Sequence, residues 1–140
     1  MPEFTGVSHI ELTVRDADRS GAWYERVLGM TRLDIPDEYR TPGVAARIAN
    51  LIHPRTGLNI NLMQHEAGDE AVFSELHVGL DHLALAVESR EELESWVRHL
   101  DDCAVEHSPI SDMPYGAVVV FRDPDNIQLE LFALVSGFRL

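Results

Sequence analysis

Four positions in this 140-residue chain combine into a recognisable chemistry: His9, His82, Glu130 and Asn61. Two neutral imidazoles and one carboxylate are the ligand set of a mononuclear divalent site with open positions, with Fe(II), Ni(II), Zn(II), Mn(II) and Co(II) all compatible. A substrate with two adjacent oxygens could take the open positions, and the ion would then offset negative charge developing on them. Taken singly, each residue has an ordinary explanation. A strand histidine is more often a hydrogen-bonded surface residue, and Glu130, between Leu129 and Leu131, would be a solvated residue on the polar side of a strand.

What lifts the set above those explanations is an internal repeat. Gly6-Val7-Ser8-His9-Ile10-Glu11-Leu12-Thr13-Val14 aligns with Gly79-Leu80-Asp81-His82-Leu83-Ala84-Leu85-Ala86-Val87 at an offset of 73 residues, which also carries Trp23 onto Trp96 and Val27 onto Leu100. Both matched segments alternate as half-buried strands, with Ile10, Leu12 and Val14 opposed to His9, Glu11 and Thr13. Helical periodicity follows from about Asp18 to Leu28 and from about Ser89 to Leu100, with Asp16 and Ser89 as N-caps and Gly29 as a helix end. Further strands are predicted near Thr31–Ile35, Val44–Ile52 and Leu58–Met63, and near Val105–Pro109, Gly116–Arg122 and Ile127–Leu134. Asp123-Pro124-Asp125-Asn126 and His53-Pro54-Arg55-Thr56-Gly57 are turn signals, and Arg122 is placed to help hold the first. Each half is thus βαβββ. The expected organisation is one domain over 1–140, built from a first module at 1–66, a polar and acidic linker at 67–78, and a second module at 79–140.

The last strands of the halves, Leu58–Met63 and Ile127–Phe132, place their aliphatic residues on one face and Asn59, Asn61, Gln128 and Glu130 on the other. If the sheets curve toward each other, His9, His82 and Glu130 converge with Asn61. Glu130 and Glu11 are the candidate catalytic carboxylates, Glu11 because it shares the face of His9. Arg47, Tyr115, Phe121 and Tyr39 are candidates for shaping a substrate pocket. His53, His65, His77, His99 and His107 fall in turns, the linker or a helix end and are expected at the surface or behind the ligands. Cys103 is expected to be a plain packed or partly exposed thiol.

Composition excludes other chemistries. A formal charge of −13 repels phosphate backbones, so nucleic acid is not an expected partner. All eleven cationic residues are arginines, which removes Schiff-base lysines and the P-loop lysine. One cysteine cannot form an internal disulfide. The first apolar segment is broken by Ser8, His9 and Glu11, and no apolar run approaches a membrane span, so a cytoplasmic protein without membrane association is expected.

Gly6–Val14 followed by Trp23-Tyr24-Glu25-Arg26-Val27-Leu28-Gly29-Met30 resembles the opening of vicinal-oxygen-chelate proteins, the glyoxalase, bleomycin-resistance and extradiol-dioxygenase type. Phe121-Arg122-Asp123-Pro124-Asp125-Asn126-Ile127-Gln128-Leu129-Glu130-Leu131-Phe132 resembles their closing signature, and the likeness covers almost the whole chain. It implies an α+β fold of two tandem βαβββ modules forming a cupped, mainly antiparallel sheet with helices on the outer face. It also implies one divalent metal, a small-molecule substrate and a homodimer. The ligand positions it implies are His9, Asn61, His82 and Glu130. Glyoxalase I has a glutamate where this chain has Asn61, whereas methylmalonyl-CoA epimerases have an amide. Extradiol dioxygenases need two histidines and a glutamate but are commonly about twice as long. Fosfomycin-modifying enzymes are similar in size and ligand set, yet the lysines of their anion site have no counterpart here. Two functions follow as expectations: a metal-dependent isomerase, lyase or dioxygenase acting by bidentate chelation, or a non-catalytic protein sequestering a small molecule. Proteins of the latter, bleomycin-resistance kind generally lack the ligand set.

Overall fold

Local chemistry starts and stops the helices. Asp16 Oδ1 accepts from the backbone N–H of Asp18 and Arg19, both at 3.0 Å, and opens α1 (Ala17–Leu28). Gly29 closes it in the left-handed conformation at φ 65°, where a residue without Cβ fits at little cost. Ser89 Oγ accepts from Glu92 N at 3.2 Å and opens α2 (Arg90–Asp102). On α1 the fully buried aromatic is Tyr24, and Trp23 beside it is half-buried, with the two rings edge to face at 5.1 Å.

The computed structural model describes residues 1–36 and 42–135. Among them the order is β1 (Ile10–Thr13), α1, β2 (Thr31–Leu33), β3 (Ala46–Ile52), β4 (Asn59–His65), β5 (Leu83–Val87), α2, β6 (Ser111–Met113), β7 (Gly116–Arg122) and β8 (Gln128–Leu134). The chain divides into two compact units, Met1–Ala71 and Val72–Leu140. Each holds one four-stranded sheet with the same plan, in the orders β1-β4-β3-β2 and β5-β8-β7-β6. The opening strand lies parallel to the closing one, and the remaining pairs are antiparallel, so the fold is α+β with two βαβββ halves.

Strand alternation sorts each sheet into two faces. In the first unit Leu12, Ala49, Leu51, Ile60 and Leu62 are at most 5% exposed and form the core with Tyr24 and Val27 of α1. In the second, Val119, Phe121, Leu129, Leu131 and Ala133 are at most 3% exposed and form the core with Leu93 and Leu100 of α2. Removing side chains of this kind from water is the main source of stability for both units. No helix among the described residues is long and apolar enough to cross a membrane.

One expected strand is displaced. Val105–Pro109 forms a single bridge, His107 to Phe121, and the third strand of the second half is Ser111–Met113 instead. Pro109 has no N–H to donate, while Ser108 pairs with Val120 through its backbone N–H and its hydroxyl and ends the contact there. The stretch expected as a linker is bonded into the second unit from Phe73 onward. Phe73 N donates to Asp125 O at 2.9 Å, Asn126 Nδ2 donates to Phe73 O at 2.9 Å, and Glu75 pairs with Arg122 at 2.8 Å.

Candidate metal centre

Each opening strand begins one residue after a histidine, and in both units the residue before that histidine meets its Nδ1. Ser8 Oγ lies 3.2 Å from His9 Nδ1, and Asp81 Oδ1 lies 2.6 Å from His82 Nδ1. An ionised carboxylate only accepts, so His82 Nδ1 is the donor in this contact, and in the neutral ring Nε2 is then the acceptor. A serine hydroxyl can donate or accept, so Ser8 positions the His9 ring without selecting its tautomer. Both imidazoles are accessible, 49% exposed for His9 and 39% for His82. Ser8 and Asp81 are not among the residues that the sequence singles out. The available signal was a polar residue at the same repeat position before each histidine.

The strand registers fix a second equivalence. Glu11 pairs with Asn61 across β1 and β4, and Ala84 pairs with Glu130 across β5 and β8. Asn61 therefore occupies in the first sheet the place of Glu130 in the second, and Glu11 the place of Ala84. The first unit thus carries its carboxylate on the opening strand rather than the closing one. Asn61 Nδ2 donates to Glu11 Oε1 at 3.4 Å, and His9 Nε2 lies 3.8 Å from the same oxygen. Asn61 Oδ1 and the neighbouring Asn59 Oδ1 are buried without a hydrogen-bond partner. A buried acceptor left in that state needs a cation or a proton donor, which suits Asn61 as an oxygen ligand. Among the described residues no group of three or more His, Cys, Asp and Glu side chains is gathered to hold a metal ion. The first unit offers His9, Glu11 and the orphaned Asn61 oxygen; the second offers His82 and Glu130.

The expected pocket residues separate. Arg47 pairs with Gln64 on the helix side of its sheet, with its Nη2 2.7 Å from Asp18 Oδ2 of α1, which puts it on the opposite face from Glu11 and Asn61. Phe121 is 1% exposed and pairs with Leu129, so it belongs to the core of the second unit and not to a pocket wall. Strand parity accounts for both: Arg47 alternates in phase with Ala49 and Leu51, and Phe121 with Val119. Tyr115 is 41% exposed and stacks on Phe132, which shares the strand face of Glu130. Tyr39 lies outside the described residues. His53 accepts from Thr56 N in its turn, and His107 contacts Asp101 and the Ser108 carbonyl. His99 lies 3.7 Å from Cys103 Sγ and packs edge-on against Trp96, and Cys103 is half-buried.

The closing turn is braced from two sides. Asp123, 6% exposed, accepts through Oδ1 from Asp125 N and Ile127 N, both at 2.8 Å. Arg122 donates to both Glu75 oxygens, to Gln128 Oε1 and to the Asn126 carbonyl. Hydrogen bonding from that guanidinium holds the Glu75 carboxyl far below its ordinary value, at about 2.

A model of the glyoxalase/bleomycin resistance protein/dioxygenase superfamily matches residues 6–131. Among solved structures, a glyoxylase/bleomycin resistance protein/dioxygenase domain from Frankia sp. EAN1pec is 36% identical, with 97% of this chain and 96% of that chain covered and a TM-score of 0.84. The fosfomycin resistance protein FosX from Listeria monocytogenes is 22% identical over 99% of this chain and 100% of its own, with a TM-score of 0.71. A mutant of that protein, complexed with Mn(II) and 1S,2S-dihydroxypropylphosphonic acid, is 21% identical over 96% and 95%, with a TM-score of 0.70. At those identities the FosX likeness is one of fold. No curated protein matches the chain in sequence.

Proposed function

Because this chain belongs to the glyoxalase/bleomycin resistance protein/dioxygenase superfamily, we propose that it is a metal-dependent enzyme acting on a small oxygenated substrate by bidentate chelation. In this reading His9, His82 and Glu130 hold one divalent ion, and Asn61 contributes Oδ1 as a fourth or outer-sphere group. The observation that carries it is the paired support of the histidines. Ser8 and Asp81, at equivalent repeat positions, engage Nδ1 of the following imidazole, an arrangement that orients a ligand histidine and leaves Nε2 for the ion.

A bound divalent ion would supply Lewis acidity toward two adjacent substrate oxygens. The chain's own groups do the rest. Asp81 keeps the proton of His82 on Nδ1. Asn61 Nδ2 holds Glu11 Oε1 as an acceptor, and Glu11, 47% exposed, is the base that takes a proton from the substrate beside the chelated oxygens. Isomerase, lyase and ring-cleaving dioxygenase chemistry share this first step of charge development on oxygen. A mutant of FosX, of the same fold, has been seen with Mn(II) and 1S,2S-dihydroxypropylphosphonic acid, which supports a divalent metal here. We place the working protein in the cytoplasm as a homodimer, in keeping with its superfamily.

Metal analysis of protein purified without added metal, paired with His82→Ala, tests this function. Near-stoichiometric metal in the parent and little in the variant is the expected result, and its identity narrows the reaction, with Fe(II) pointing to oxygen chemistry and Ni(II), Co(II) or Zn(II) to isomerase or lyase chemistry. Absence of metal from both, together with a tightly held organic molecule, would establish the sequestering protein instead.

A further inference from the structure

We infer that the second unit recognises a flat, uncharged, apolar part of the substrate, with Phe132 and Tyr115 as the specificity-determining side chains; this rests on the chelation proposed at Glu130. Phe132 follows Glu130 by two residues on β8, where Leu129, Leu131 and Ala133 point to the core and Glu130 and Phe132 to the opposite, half-exposed face. Tyr115 stacks on the Phe132 ring, with centroids 6.0 Å apart and planes 25° from parallel. Two aromatic rings stacked outside the core, beside a candidate ligand carboxylate, make a platform for a third flat group.

Gly116 makes room for that platform. A Cβ at this position would stand 2.9 Å from Phe132 Cζ and 2.5 Å from the Ala133 carbonyl oxygen. The residues in register on the same face are apolar as well. Ala84 and Val120 flank Glu130, and Ala86 and Val118 flank Phe132. Among the described residues of these strands the cation is Arg122, and its guanidinium is committed to Glu75, Gln128 and the Asn126 carbonyl. A phosphonate or carboxylate tail on this face would meet apolar side chains and no uncommitted charge, which costs far more than burying a ring there. The substrate class is therefore an aromatic or similarly flat compound with two adjacent oxygens.

Isothermal titration on the Mn(II)-loaded chain tests this with three probes: catechol, which has a ring; acetohydroxamate, which chelates without one; and phosphonoformate, which is strongly anionic. Phe132→Ala and the more exposed Tyr115→Ala are each expected to weaken catechol binding about fivefold to tenfold while acetohydroxamate and Mn(II) affinities stay within about twofold, and Phe132→Tyr should keep catechol affinity. The inference is overturned if catechol affinity is unchanged in both alanine variants, if both chelators weaken together, or if the parent prefers phosphonoformate to catechol. Failure of the parent to bind Mn(II) when it is titrated with the metal alone would remove the chelation reading itself, and this inference with it. Retained Mn(II) binding with an unmoved catechol affinity removes the inference alone.

Discussion

Asp81 holds His82 by a 2.6 Å contact between its Oδ1 and the imidazole Nδ1, on an accessible surface where the ring would otherwise be free to rotate. A supporting carboxylate of this kind sets the tautomer and raises ligand basicity, and its loss commonly costs about 10–100-fold in metal affinity. Asp81→Ala should therefore lower Mn(II) or Zn(II) affinity by about that factor while the melting temperature of metal-free protein stays close to the parent. Asp81→Asn, which can still accept through Oδ1, should fall between. Equal affinities in the parent and Asp81→Ala would show that the contact has no part in metal binding.

Glu75 predicts a pH dependence whose sign follows from its bond to Arg122. That hydrogen bond holds the folded carboxyl at about 2, against an ordinary value of 4.5. The folded state therefore binds this proton more weakly than the unfolded one. The stabilisation is present above about 4.5 and is lost as pH falls toward 2. Glu75→Gln should melt below the parent at neutral pH, and the gap should close on acidification through that window. Hydrogen exchange at the Phe73 amide, which donates to the Asp125 carbonyl, should quicken in the variant at neutral pH. A melting gap that does not change with pH would show that the pair does not act through its charge.

Asp123 stabilises the closing turn from inside. Its side chain is nearly buried and accepts from two backbone N–H groups, those of Asp125 and Ile127. Asp123→Ala leaves both donors without that acceptor and should cost about 1.5–3 kcal/mol in urea denaturation, since hydrogen bonds to a charged group lie at the strong end of the range. A loss within about 0.5 kcal/mol would mean that water replaces the carboxylate at little cost.

Gly116→Ala tests how closely β7, β8 and the Phe132 ring approach. The added methyl meets a backbone oxygen that cannot move aside alone, so overpacking should destabilise the protein by about 1–3 kcal/mol. Gly116→Ala combined with Phe132→Ala should recover part of that loss if the ring shares the crowding, and none of it if the Ala133 carbonyl alone is responsible. Denaturant melts of the single and double variants separate the two.

Much of the architecture was legible in the residues, because it is written at short range. Strand alternation, helical periodicity, the caps Asp16 and Ser89, the left-handed Gly29 and the turn at Asp123–Asn126 depend on neighbours within a few positions. The repeat added long-range information by showing that one plan occurs twice, and it put His9 and His82 at matching places before their strands. The tertiary structure decided what depends on partners far along the chain. Cross-strand register paired Asn61 with Glu11 and set Glu130 between Ala84 and Val120. It turned Arg47 toward Asp18, sent Phe121 into the core and replaced the strand expected at Val105–Pro109 with Ser111–Met113. Periodicity says which residues share a side, but which side meets a helix, and which side chain finds a hydrogen-bond partner, is settled by packing between segments dozens of residues apart.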